Sequence, residues 1–226
     1  MLTKEDLLSC TVAPNINDVS LELYRDFSES YLIPRKFHYD FLDGDEMDLA
    51  FTEWGIYHML SIHHIDRRVR KTKFFEEISN GLSFDTFKAE AGKNRRFKKE
   101  KKRITMFACV YNTLLTGSMF YLPSSHVRNT AEVEMDYIAF QKLRNVSPTG
   151  ITYNGINVGI RECGDFYVPL TILISTNSNV VEYIKDEELK IVKRMYIADE
   201  KGEVIEERSY EAVLVDEDKK MVQRHK

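Results

Sequence analysis

Residues 151–176 read ITYNGINVGIRECGDFYVPLTILIST. Segments 151–160 and 165–176 are rich in β-branched residues, and Cys163-Gly164-Asp165 between them is hairpin-turn chemistry. Toward the C-terminus the pattern stays that of strands. Residues 132–143 contain a strand-like stretch, 188–198 read as a fourth strand, 199–202 as a turn and 203–210 as a fifth strand. Toward the N-terminus the pattern changes. Residues 5–10, 19–31, 72–80 and 93–115 read as helices, and Ser83-Phe84-Asp85 starts another. Gly81 stands where a helix C-cap is needed, and Gly117 and Pro123 end the longest helix. Helices first, then consecutive strands, predict an α+β fold with N-terminal helices packed on a C-terminal, mostly antiparallel β-sheet. No boundary divides residues 1–226, so a single domain is expected, with 216–226 as a charged, frayed tail.

The helical half contains one unusual stretch, FTEWGIYHMLSIHHIDRR at 51–68. Before it, residues 36–42 alternate polar and apolar like a half-buried strand, and Asp43-Gly44-Asp45 is a turn. Apolar residues at Leu49, Trp54, Ile56, Tyr57, Leu60 and Ile65 then predict one helix over 47–66. The 51–68 stretch, read as helical to its end, carries His58, His63, His64, Arg67 and Arg68. His64 lies one turn from Arg67 and Arg68, so the three share a face. His58 and His63 are five apart, about 140° around the axis, and would flank a site. Histidine titrates nearest neutrality and arginine pairs with phosphate. The combination points to acid–base work on a phosphodiester, against the ordinary role of histidine as a hydrogen-bonded structural residue.

Of the 226 residues, 43% are hydrophobic and 12% aromatic, enough for a substantial core. Cys10, Cys109 and Cys163 form no ligand pair and no disulfide framework, which fits a cytoplasmic protein. The N-terminal MLTKEDLLSC lacks the basic-then-apolar order of a signal peptide. Residues 104–125 carry no charge, but Asn112, Thr113, Thr116, Gly117 and Ser118 interrupt them, so 104–115 is expected to be a buried helix and no membrane partner is expected. The net charge of −4 hides segregation: residues 67–103 balance to +9, and the remainder to −13. Within 93–103, eight of eleven residues are basic, including Arg95, Arg96, Lys98 and Lys99. Such a segment is the footprint of a polyanion site, or else a solvated helix face or a tether to an acidic partner. Nucleotide-loop, esterase and zincin motifs are absent, and adjacent His63 and His64 supply no metal-ligand spacing, so neither metal nor cofactor is expected.

In 165–176, Pro169 requires an edge strand or a bulge. Simple alternation puts Tyr167, Pro169, Thr171, Leu173 and Ser175 on one face, with Val168, Leu170, Ile172 and Ile174 on an apolar face. The first face offers Tyr and Thr hydroxyls, or is an ordinary solvent side.

Together these residues resemble the phage-associated group of the Barnase–EndoU–colicin–RelE nuclease-like superfamily. Its pattern of strand, turn and helix with F-x(5–6)-H-L-x-G is approximated by Phe51, His58, Leu60, His63 and His64. Met59 replaces the Leu after the His, and Ser61 stands near the expected glycine. Arg103, Ile104 and Phe107 resemble its Arg-Ile-x-x-Phe element, and Tyr167, Pro169 and Thr171 its Tyr-x-Pro-x-Ser/Thr strand. The resemblance covers about residues 36–176. It implies a metal-independent ribonuclease of toxin or phage-conflict type. His58 and His63 would transfer protons, with Arg103 stabilising charge and Tyr167 and Thr171 positioning phosphate. His64, Arg67, Arg68 and the basic quartet would bind RNA, and a protein antitoxin or inhibitor is an implied partner. The competing readings are a non-catalytic nucleic-acid- or partner-binding protein on a similar scaffold, and a transferase acting on a nucleotide or protein.

Overall fold

The computed structural model describes residues 1–122, 134–147, 150–176, 179–185, 187–215 and 220–225. Pro123 and residues 132 and 133 lie outside these. Local signals act where the sequence has them. Helix α1 (Leu21–Phe27) starts at Ser20, whose hydroxyl accepts from the Leu23 amide. It runs on into a π-turn, Ser28–Leu32. Strands β1 (Lys36–Phe41) and β2 (Glu46–Ala50) form a hairpin around Gly44, at φ +94°. Residues 47–50 are therefore strand, where helix was expected. Met47 and Leu49 are buried beneath exposed Glu46 and Asp48, a period of two that pairs Tyr39 with Met47 and Phe37 with Leu49.

Five α-helices follow, with a sixth before the rest of the sheet. These are α2 (Glu53–Met59), α3 (Ile62–Ile65), α4 (Phe74–Ser79), α5 (Phe84–Ala89) and α6 (Ala91–Met106). A 3₁₀ turn at Phe107–Cys109 separates α6 from α7 (Val110–Thr116), so the expected 93–115 helix is two. Its apolar part is core, as expected: Ile104 and Met106–Val110 are buried. No helix among the described residues is long and apolar enough to cross a membrane.

The remaining strands are β3 (Ser118–Tyr121), β4 (Tyr137–Ser147), β5 (Gly150–Cys163), β6 (Phe166–Ser175), β7 (Glu188–Lys190), β8 (Val192–Ala198), β9 (Val204–Val215) and β10 (Lys220–His225). They order as β10-β9-β8-β1-β2-β6-β5-β4-β3-β7. All described pairings are antiparallel except β2 with β6, which meet at Leu49 and Tyr167. This is an α+β fold on a curled sheet. The expected 188–198 strand is split: Ile191 alone separates β7 from β8, which have six other strands between them in the order. Such a short link requires the sheet to curl until those strands meet. Leu42 donates its amide to the Ile191 carbonyl at 2.8 Å, and Lys190 Nζ pairs with Asp45 at 3.0 Å across the junction. Residues 220–225, expected to fray, pair with β9 instead.

The main core fills one face of the sheet, where Phe37, Tyr39, Leu49, Val158, Ile160 and Ile172 pack against the helices. Tyr24 and Tyr39, both buried, donate their hydroxyls to the Ile104 and Leu114 carbonyls at 2.9 and 3.1 Å, which ties the helices to the sheet and to one another. Met135, Ile138, Leu173 and Ile184 form a smaller cluster on the other face. Register connects the two faces to the site. Gly159 opposes Thr171, but Ile160 opposes Pro169, so Leu170 is the extra residue of a bulge. Cross-strand partners share a face and neighbours alternate. Tyr167, opposite Glu162, therefore lies on the main-core face with Ile160, whereas Thr171 lies on the other with Leu173. The bulge that accommodates Pro169 thus separates the two hydroxyls that simple alternation placed together.

Candidate functional site: three histidines at a helix break

The predicted 47–66 helix breaks at Ser61. Its backbone is left-handed (φ 57°, ψ 29°), alone among described non-glycine residues. This conformation costs an L-residue roughly 1–2 kcal/mol. The offset is visible: Ser61 is fully buried and its hydroxyl accepts from the Arg103 guanidinium at 2.5 Å. Ser61 thus has a glycine-like backbone. The break turns α3 back toward the end of α2. His58 and His63, which a straight helix would hold well apart, have ring centroids 4.7 Å apart, and His63 and His64 are 4.0 Å apart.

Neighbouring aromatic rings fix these imidazoles. Tyr57 meets His58 edge-on at 5.4 Å and His63 at 5.9 Å, and its own hydroxyl donates to the Val69 carbonyl. Trp54, one turn before His58, meets it edge-on at 6.1 Å. Enclosure lowers the basicity of the pair. Burial pushes the His63 pKa down to about 4, aided by repulsion from neighbouring His64, His58, Arg103 and Arg67 against a proton on His63. His58 is lowered by burial, then by Lys71 and His64. His63 Nδ1 is buried and has no hydrogen-bond partner among the described residues. Two neutral imidazoles beside a guanidinium can exchange protons with a bound anion, whose charge would raise both pKa values.

Of the arginines expected to share the histidine face, only Arg67 remains available. The helix ends at Ile65 because Asp66 is extended and its carboxylate accepts the Arg68 amide at 3.1 Å. The Arg68 guanidinium turns to Asp66 at 3.2 Å and Glu90 at 3.1 Å, while Lys93 reaches Asp66 at 2.7 Å. Burial acts against the Asp66 carboxylate, but hydrogen bonds from Arg68 and Lys93 overcome it and hold its pKa at about 2. Arg68 and Lys93 are thus clamps that hold the start of α6 to the end of α3. Arg103 lies 3.5 Å from Glu100 as well as on Ser61.

Along α6, Arg95, Arg96, Lys98 and Lys99 are exposed, with no carboxylate at ion-pair distance among the described residues. Helix geometry divides them. Arg96 lies seven residues before Arg103, on the histidine side. Arg95 and Lys99 point away from the core. Lys98 belongs to the opposite flank, where with Lys101, Lys102, Thr105 and Pro14–Ile16 it lines a cavity of about 380 Å³. Among the described residues no hydrogen bond or ring contact joins Tyr167 or Thr171 to the histidines. Tyr167 meets Tyr137 edge-on at 5.4 Å on the main-core face, and buried Thr171 packs on the other face, which it shares with Val168, close to Met135 and Gly159.

The described residues place one set of three side chains close enough to share a cation, His38, Asp40 and Glu46 on β1 and β2, away from this site. There both ring nitrogens of His38 already contact carboxylates, Asp48 at 2.6 Å and Asp40 at 2.9 Å. Sequence reasoning missed Ser61, Trp54 and Asp66. The signals were present: a serine near the glycine of the resembled motif, an aromatic four residues before a histidine, and an Asx-turn residue where the helix ends. No family model, no curated protein and no solved structure matches this chain.

Proposed function

We propose that the protein is an endoribonuclease of toxin or phage-conflict type that cleaves RNA through its 2′-hydroxyl without a metal ion. The observation that carries this reading is the contact of His58 with His63, 4.7 Å between centroids, beside Arg103. In-line cleavage needs a base, an acid and a cation. His63, neutral at pH 7, accepts the 2′-hydroxyl proton. The 2′-oxygen bonds to phosphorus as the bond to the 5′-oxygen breaks. His58, lowered less far and raised again by the bound phosphate, donates a proton to that leaving oxygen. Arg103 and Arg67 stabilise charge on the phosphoryl oxygens, and Arg96 extends the cationic track along α6. The same track fits an acidic antitoxin or inhibitor.

The test is purified protein with total RNA and single-stranded DNA in EDTA. Expected are cut RNA with 2′,3′-cyclic phosphate ends, or their opened product, and intact DNA. A folded double variant, His58→Ala with His63→Ala, that cuts RNA at the wild-type rate overturns the assignment. The second reading, a non-catalytic nucleic-acid- or partner-binding protein, is favoured by the engagement of Arg103 with Ser61 and Glu100. It predicts RNA retention without cleavage.

A further inference from the structure

A second feature adjoins His58. Trp54 precedes His58 by four residues, so the two share a face of α2, and the rings meet at 83°. The indole also lines a cavity of about 210 Å³ whose other walls are Arg161, Glu162 and Cys163 of β5 and Val168 and Leu170 of β6. Leu170 is the bulge residue, and the turn after Cys163 is the tight Gly164 hairpin, with φ +70°. The cavity is therefore shaped by the two irregularities of this hairpin.

Its chemistry differs from that of the histidine cluster. There the cations Arg103 and Arg67 bear on His63. Here Arg161 is partnered by Glu134 at 3.0 Å, and Glu162 adds a further carboxylate. Such a rim does not favour phosphate. An indole, the apolar walls of Val168 and Leu170, and a few hydrogen-bonding groups instead suit a flat, uncharged heteroaromatic ring. Nucleobases in single-stranded RNA are held in this way, stacked on an aromatic side chain and hydrogen-bonded at their edges.

We propose that this cavity is a nucleobase subsite that prefers purines, an inference that rests on the ribonuclease reading and deepens it. A purine covers more of the indole than a pyrimidine does. It also presents N7, an acceptor that pyrimidines lack, to a donor such as Arg161. A base seated against Trp54 leaves its ribose and phosphate alongside His58, so the cavity selects the nucleotide next to the cleaved bond.

Trp54 is the only tryptophan in the chain, so its fluorescence reports on the cavity directly. The full-length protein is titrated with the 3′-monophosphates of adenosine, guanosine, cytidine and uridine, exciting at the red edge of indole absorption. Saturable quenching by the purine nucleotides, about tenfold tighter than by the pyrimidine ones, is expected from one extra stacked ring and one hydrogen bond. Arg161→Ala, at a half-exposed side chain, is expected to shrink that ratio severalfold. The absence of saturable quenching, or equal affinity for all four nucleotides, overturns the subsite. If the protein nevertheless cuts RNA, the ribonuclease reading survives that failure. Selective purine quenching in a protein that cuts no RNA keeps the subsite and removes the ribonuclease reading.

Discussion

An imidazole held neutral down to about pH 4 couples folding to pH. Unfolded, His63 takes up a proton near its ordinary value of about 6.5. Between that value and about 4 the unfolded state binds more protons, so stability falls with falling pH. The contribution is fully present above 6.5 and lost as pH drops toward 4. His63→Phe keeps an aromatic ring against Tyr57 and removes the proton. Its melting temperature is expected to fall less than that of wild type between pH 7 and 4.5, and thermal melts at both values check this. In the proposed reaction each single alanine at His58 or His63 costs about 10²–10⁴-fold in rate. Ser61 separates two effects. Ser61→Ala loses the hydroxyl that Arg103 reaches and keeps the strained backbone. Ser61→Gly loses the same hydroxyl and relieves the strain. The glycine variant is therefore expected to be more stable than the alanine variant by about 1 kcal/mol, measured by urea denaturation. At this scale the histidines were legible as residue types. Their contact was not, because one left-handed serine, stabilised by an arginine 42 residues later, creates it.

Helix α2 must lie very close to β6 for Trp54 and His58 to reach the site. Gly55 permits this. A Cβ there would sit 2.8 Å from the Pro169 carbonyl oxygen and 3.1 Å from Val168 Cγ1. The first contact is backbone, so the helix itself must move. Gly55→Ala would gain up to about 1 kcal/mol in helix propensity, but such overpacking typically costs 1–3 kcal/mol. Net destabilisation of about 1–2 kcal/mol is expected by chemical denaturation, together with a changed Trp54 emission as α2 lifts. A variant as stable as wild type would show that α2 is not pressed against β6. The same distinction explains which elements sequence could reveal. The Ser83 capping box, Gly81 after α4, Gly44 in the first hairpin and Gly164 in the later one are local devices, and each marks an element boundary in the chain itself. Pro169 likewise announced an edge or a bulge, and the bulge at Leu170 follows. The break at Ser61 and the division at Ile191 are each decided by a partner distant in sequence. Residues 47–50 misled for another reason. Met47 and Leu49 alternate with Glu46 and Asp48 as a strand does, but Leu49 also fits the start of the apolar stripe that continues through Trp54, and pairing with β1 overrides that reading.

Across the whole molecule, charge is segregated, with +9 over residues 67–103 and −13 over the remainder. This imbalance was legible as arithmetic, but its use was not. The structure takes Arg68 and Lys93 out of the cationic surface by pairing them with Asp66 and Glu90, and leaves Arg95, Arg96, Lys98 and Lys99 exposed on α6. If RNA follows α6 into the histidine site, affinity should fall steeply with added salt as counterions are released. For single strands the slope changes by about 0.7 per phosphate contact, so neutralising all four residues should reduce it by up to about 3. The helix predicts an unequal division of that loss. Arg96 faces the Arg103 side, whereas Lys98 faces the opposite flank with Pro14 and Ile16. Arg96→Gln is therefore expected to lower the slope by close to a full contact, and Lys98→Gln by much less. Polarisation of a labelled single-stranded RNA across a salt series separates the two. Equal effects would mean that the strand wraps both flanks of α6. An unchanged slope in the quadruple variant would remove the basic helix from the RNA path and leave it to an acidic protein partner.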